Sequence, residues 1–159
     1  MVLFSIGKNR AVKIAAVSVF AVFMIALCFI IAFESKPSVP DFATADGVGK
    51  YSTRAEDTKT QIKFLSRFGI RVDKNTKRTD TVRIPANFDE VYEDYNGIQK
   101  EAGLDLKPFR GELVSRVKYK LRQKERYVTL LIFRGYVIGG HLGTGEYGDG
   151  YEGLNGEIG

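Results

Sequence analysis

The chain has 159 residues, of which 44% are hydrophobic and 27% charged, with a formal net charge of +5, one cysteine and one histidine. Such a composition suits one globular domain with something added to it. It excludes a disulfide framework, and a lone histidine with no cysteine beyond Cys28 excludes the usual zinc constellations.

The added part is at the front. Lys8, Arg10 and Lys13 precede the uncharged run "IAAVSVFAVFMIALCFIIAF", Ile14 to Phe33, which as a helix would span about 30 Å, the thickness of a bilayer's hydrocarbon core. The run is longer than the apolar region of a cleaved signal peptide, and the nearest small-residue site, Ala43-Thr44-Ala45, lies well past its end. The reading is therefore an uncleaved signal anchor, with Cys28 behind bulky Leu27 as a lipid-facing hydrophobe. Cations and no acids before the span, against Glu34 and Lys36 after it, keep residues 1–13 in the cytoplasm. The expectation is a single-pass protein of the cell membrane, contacting lipid through residues 14–33, with an extracytoplasmic C-terminal domain.

Residues 34–50, "ESKPSVPDFATADGVGK", show no period and read as a linker. The folded domain is expected over 51–142. Thr53-Arg54-Ala55-Glu56 has the form of a capping box, and Ile62, Leu65 and Phe68 follow at helical spacing before Gly69, which predicts a helix over 54–68. After a polar turn "DKNTKR", Val82 and Ile84 alternate with Thr81 and Arg83 in a strand near 79–84. Asn87-Phe88-Asp89-Glu90 caps a second helix with the stripe Phe88, Val91, Tyr92, Tyr95, Ile98 and Ala102, ending at Gly103.

"ELVSRVKYKL" alternates Val117, Tyr119 and Leu121 with Arg116, Lys118 and Lys120, giving a strand with one wet face. "RYVTLLIF" and "YVIGGHL" flank Arg134-Gly135, which has the form of a tight hairpin turn. The predicted fold is α+β, two helices packed on a mainly antiparallel sheet of about four strands. If the turn is tight, Phe133 faces Tyr136 and Ile132 faces Val137. One face of the hairpin then holds Leu131, Phe133, Tyr136 and Ile138, and the other holds Val128, Leu130, Ile132, Val137 and His141. A strand apolar on both faces is covered on both. The helices can cover one; the other needs more of the chain or a partner, which makes Val128, Leu130, Ile132, Val137 and His141 a candidate partner-binding face.

"STRAEDTKTQIKFLSRFGIRV", "YNGIQKEAGLDLKPFRGELVSRVKYKL" and "LLIFRGYVIGGHL" together resemble a family of uncharacterised extracytoplasmic domains of clostridial-type Gram-positive bacteria, classed as a domain of unknown function. The resemblance covers about residues 51–142 and implies a single N-terminal anchor or lipid-type signal, with no established activity or catalytic residue to carry over.

Residues 143–159 form a Gly-rich tail containing "GTGEYG", the letters of a dinucleotide-binding turn. No helical stripe and no suitably placed acid follow, so the match is fortuitous and the tail reads as a frayed, acidic end. Glu146, Asp149, Glu152 and Glu157 lack the spacing of a calcium loop. His141, set on an apolar face, reads as structural, and Gly139-Gly140 reads as a bulge or a close helix approach. No metal or cofactor is implied. The basic residues are dispersed and none follows Arg134, which with the anchor opposes nucleic acid and reads first as a mixed solvated surface, with anionic wall polymers, lipid headgroups or an acidic protein as better partners than DNA. The expected function is a binding or regulatory module for a membrane or envelope partner; the alternative is an extracytoplasmic hydrolase or carbohydrate-active enzyme built on His141 and nearby acids, which requires a carboxylate within hydrogen-bonding reach of His141.

Overall fold

The structure is a computed structural model in which residues 20, 22–24, 37–122, 125–144 and 150–156 are described. Residues 20 and 22–24 are helical; the rest of the predicted anchor 14–33, with Cys28, lies outside the described residues. Among the described residues no helix is long and apolar enough to cross a membrane.

From Pro37 onward the elements run β1 (Phe42–Ala45), β2 (Gly49–Ser52), α1 (Thr58–Arg67), β3 (Val72–Arg83), α2 (Glu90–Glu101), a 3-10 turn (Lys107–Phe109), β4 (Leu113–Leu121), β5 (Tyr127–Phe133) and β6 (Tyr136–Gly143). Strands β3-β4-β5-β6 form one antiparallel sheet in that order, and β1-β2 form a separate antiparallel hairpin. The α+β class, two helices on a four-stranded sheet, is as the sequence predicts. The small hairpin is not. It occupies much of the predicted linker, because Ala45 and Tyr51 bury against α1, with the Tyr51 ring edge-on to Phe64 and Phe68 at 5.6 and 5.0 Å. The Tyr51 hydroxyl donates to the Ala102 carbonyl, and burial pushes its pKa up to about 12.

The first helix begins later than its first capping signal. Thr53 instead donates its hydroxyl to the Pro40 carbonyl at 2.6 Å, and its own carbonyl accepts the Val137 N–H at 2.8 Å, so residues 53–55 run along the edge of β6. The cap passes to Asp57, whose carboxylate accepts the Thr60 N–H at 2.7 Å, with Thr60 answering in a reciprocal box. The predicted polar turn "DKNTKR" is also part of β3: the register shifts between Asp73 and Arg78, and Thr76 Oγ1 accepts the Lys120 N–H at 2.9 Å. Strand β3 is therefore longer than the periodicity near 79–84 indicates, since an edge strand with both faces partly wet shows little alternation.

Both faces of the sheet carry cover from the chain itself. On one, Phe64, Leu65 and Phe68 of the α1 region meet Val117, Tyr119, Leu121, Val128, Leu130 and Ile132, and the Tyr119 hydroxyl donates to Gln61 Oε1 at 2.6 Å. On the other, Leu106, Phe109, Val114, Leu131, Phe133 and Ile138 pack together with Tyr92 and Tyr95 of α2 against them. The candidate partner-binding face is thereby corrected. Val128, Leu130, Ile132 and Val137 lie in the sealed core under α1 and the small hairpin and present no docking surface.

Residues 150–156 correct the frayed tail in the same way. Glu152 exchanges two backbone hydrogen bonds with Leu142, its carboxylate pairs with Arg126 at 2.9 Å, and Leu154 is fully buried. Asn155 Nδ2 donates to the Glu101 carbonyl at 2.7 Å. This segment straps the far end of the β6 edge at Leu142, beyond the stretch that residues 53–55 cover, where backbone groups would otherwise need solvent or a partner. Most of "GTGEYG", residues 145–148 of it, lies outside the described residues.

Candidate functional site

Arg134 and Gly135 both have positive φ, 51° and 84°, as a two-residue hairpin turn whose twist matches its strands requires. The predicted pairs Phe133↔Tyr136 and Ile132↔Val137 follow from it. One residue later the register slips: Leu131 pairs with Gly139, leaving Ile138 as an extra residue in a β-bulge. Because side chains alternate faces along a strand, one inserted residue sends everything beyond it to the opposite side. His141 therefore pairs with Thr129 and faces α2, instead of sitting beside Val128 on the α1 face.

The bulge is held by α2. Gln99 is fully buried, its Oε1 accepting the Gly140 N–H at 2.6 Å and its Nε2 donating to the Tyr95 carbonyl at 3.2 Å. A Cβ on Gly139 would lie 2.9 Å from Leu106 Cδ2 and 3.1 Å from Gln99 Oε1, so glycine is what permits the helix to come this close. Asn96 is buried too; it accepts the Leu106 N–H at 2.8 Å and donates to Asp105 Oδ1 at 2.9 Å. These amides displace the expected stripe: Val91, placed on the apolar side by spacing, is 74% exposed.

The bulge delivers His141 into a ring of phenols. Its Nδ1 is 2.7 Å from the Tyr95 hydroxyl, and its ring lies 5.5 Å from that of Tyr95 and 4.6 Å from that of Tyr151, both edge-on. Tyr95 in turn touches Tyr92 and Tyr151 at 5.4 and 5.3 Å. Burial, with help from the charges of Lys118 and Arg116, holds the imidazole down at a pKa of about 4, so it is neutral at ordinary pH. Burial raises the Tyr95 phenol far above its usual value. A neutral imidazole bonded to an unionised phenol is a stable hydrogen-bonded pair. General-base hydrolysis calls for an orienting group and a cleft, which for the predicted alternative meant a carboxylate on this ring; the partner the fold supplies is a phenol.

Beyond the rings the sheet face turns basic. On β4 the side chains facing α2 are Val114, then Arg116, Lys118 and Lys120, of which only Val114 is sealed. Arg116 forks onto exposed Asp80 of β3, with Nε 2.9 Å from Oδ1, and lowers the carboxyl pKa. Lys120 pairs with Glu125 at 2.8 Å. Lys118 has no acidic partner among the described residues, its Nζ lying 4.3 Å over the Tyr127 ring, and directly opposite it on β3 stands exposed Arg78, likewise unpaired among them. Through the register these residues form a transverse row across the sheet, Arg78, Lys118, Thr129 and His141.

Sequence reasoning named His141 and the Tyr92 and Tyr95 pair separately, missed Tyr151 and the buried amides, and had no means of pairing Arg78 with Lys118. The alternation of cations along β4 was the one available signal. A concavity of about 200 Å³ elsewhere is lined by Val39, Pro40, Leu104, Pro108, Phe109 and Ile138 among others; its one acid, Asp105, is engaged by Asn96 and the Lys107 N–H. Among the described residues no group of His, Cys, Asp and Glu is arranged to hold a metal.

Residues 64–142 match the family model of a domain of unknown function, DUF4830. The match takes in α1 from Phe64, β3, α2 and the β4-β5-β6 meander, and leaves out the β1-β2 hairpin and the 150–156 strap. No curated protein and no solved structure matches the chain.

Proposed function

For a chain that carries a DUF4830 domain, we propose that the domain is a binding module, held at the cell membrane by residues 14–33 and facing outward, which takes an anionic membrane or envelope partner on the basic part of the α2-side sheet face. The reading is carried by Arg78 and Lys118, two cations set directly opposite on neighbouring strands with no acidic partner among the described residues. Like charges so placed destabilise a sheet, and an anion bound between them reverses the sign of that interaction. The uncharged run of residues 14–33 with cations before it supports the anchor and its direction.

Two measurements test the two halves. A cysteine introduced by Val91→Cys, at an exposed position of α2, reacts with a membrane-impermeant maleimide in intact cells; labelling only after lysis sinks the outward orientation. The full chain in detergent is retained on a polyanionic matrix at about 0.15 M salt, and Arg78→Glu with Lys118→Glu releases it. Equal retention of the double variant removes this face as the binding surface.

A further inference from the structure

The site has a ring as well as a charge pair. Tyr151, brought in by the C-terminal strap, stands edge-on to both His141 and Tyr95, and these contacts fix it while leaving it 51% exposed. From Lys118 to His141 is two strand spacings across the sheet, about 10 Å, and Tyr151 lies 4.6 Å beyond the His141 ring. We propose that this row is a binding site for a phosphorylated saccharide, with the phosphate between Arg78 and Lys118 and a sugar ring against Tyr151. The proposal rests on the anion-binding reading above and narrows it to one chemical class.

A guanidinium fork from one strand and an ammonium from the next reach different oxygens of a tetrahedral phosphate, a division of labour that suits the two residue types. The charge pair alone fits an acidic peptide equally well. The preset aromatic surface at saccharide distance favours an anion carried on a ring-shaped, largely uncharged body, because a tyrosine held by its own neighbours loses little freedom on binding. A bilayer surface fits less well. Thr129, in the middle of the row, is only 5% exposed, and His141 is largely covered by Tyr95 and Tyr151, so the row offers contacts at its two ends, the cation pair and the Tyr151 ring, which one ligand chain can bridge. Arg116 adds to the positive field and, being neutralised by Asp80, lines the site without competing for the phosphate.

The test is calorimetric titration of the full chain with a mannopentaose bearing one terminal phosphate, the same sugar without phosphate, inorganic phosphate, an oligoglutamate, and phosphatidylglycerol vesicles. The phosphorylated sugar is expected to bind tightest. Arg78→Ala with Lys118→Ala is expected to weaken it about tenfold or more, from the loss of charge-assisted bonds. Tyr151→Ala is expected to weaken it about threefold to tenfold through the lost ring contact, leaving inorganic phosphate unaffected. Tyr151→Leu, which keeps an apolar side chain on the strap, is expected to lose the same ring-dependent part, and unchanged thermal midpoints in both Tyr151 variants show that the fold is intact. Oligoglutamate or vesicles binding as tightly as the phosphorylated sugar, with no effect of either Tyr151 variant, overturns the saccharide assignment and leaves the anion surface standing. No binding of any anion, or binding indifferent to the Arg78 and Lys118 variants, overturns both.

Discussion

The two faces of the sheet are built from the same strands and end in different states. On the α1 face β4 contributes Val117, Tyr119 and Leu121, each at most 5% exposed, and helix, hairpin and Leu154 close over them. On the α2 face the same strand contributes Val114 and then Arg116, Lys118 and Lys120; α2 covers the apolar end and leaves the basic end open. The difference originates in the period-two alternation of one strand. It teaches that the uncovered face of this domain is its polar one, whereas a doubly apolar hairpin had pointed to an apolar docking surface.

The sealed face should break first. Phe64→Ala removes a buried ring packed on Tyr51 and Phe68 and is expected to lower stability by about 3–5 kcal/mol, read as a shift of the urea midpoint with the anion affinity of the remaining folded protein unchanged. A loss under about 1 kcal/mol would mean that the α1 face is not the core.

On the open face the largest expected term is a dependence on pH. His141 has a pKa of about 4 in the folded chain against the ordinary 6.5, so the unfolded chain binds the proton more readily. Stability is then at its plateau above about 6.5 and falls as the pH drops through 4, by roughly 3 kcal/mol in all. Asp57, Asp80 and Asp105 have lowered pKa values and act below this window. Denaturant titrations at pH 7, on the plateau, and at pH 5, part-way down the slope, read part of this loss, and His141→Gln is expected to remove most of the difference. An undiminished difference in that variant assigns the proton elsewhere.

What the sequence disclosed follows the same division. Strand β4, the Arg134-Gly135 turn and the two helices were legible because alternation, positive-φ chemistry and helical spacing are local signals. The face of His141 was not, because it depends on a single bulge at Ile138, which is fixed by Gln99 of a distant helix. The small hairpin and the C-terminal strap were missed for a related reason: the hairpin is rich in glycine and alanine and the strap in glycine, and they are ordered by Tyr51 and Leu154 docking into a core made by other elements. Arg78 and Lys118 are far apart in sequence, and only the sheet register makes them neighbours.

That bulge can be loosened directly. Gln99→Leu deprives the Gly140 N–H of its acceptor inside the protein and is expected to cost about 1–3 kcal/mol. It should also free the His141 ring, detected as a pKa returning toward the ordinary value in an NMR titration. A His141 shift that stays put would show that the helix does not set the register.

The smallest effect separates folding from function most cleanly. Arg78→Glu replaces a like-charge cross-strand pair with an opposite-charge one facing Lys118, at an exposed position with no other ion pair among the described residues. Stability should rise by about 0.2–1 kcal/mol, less at high salt because the pair is screened, while anion binding is lost. A rise in the denaturation midpoint coupled to loss of binding marks the repulsion as retained for a ligand. A fall in the midpoint would show that Arg78 already has a stabilising role in the sheet, and the opposed cations would then no longer argue for an anion between them.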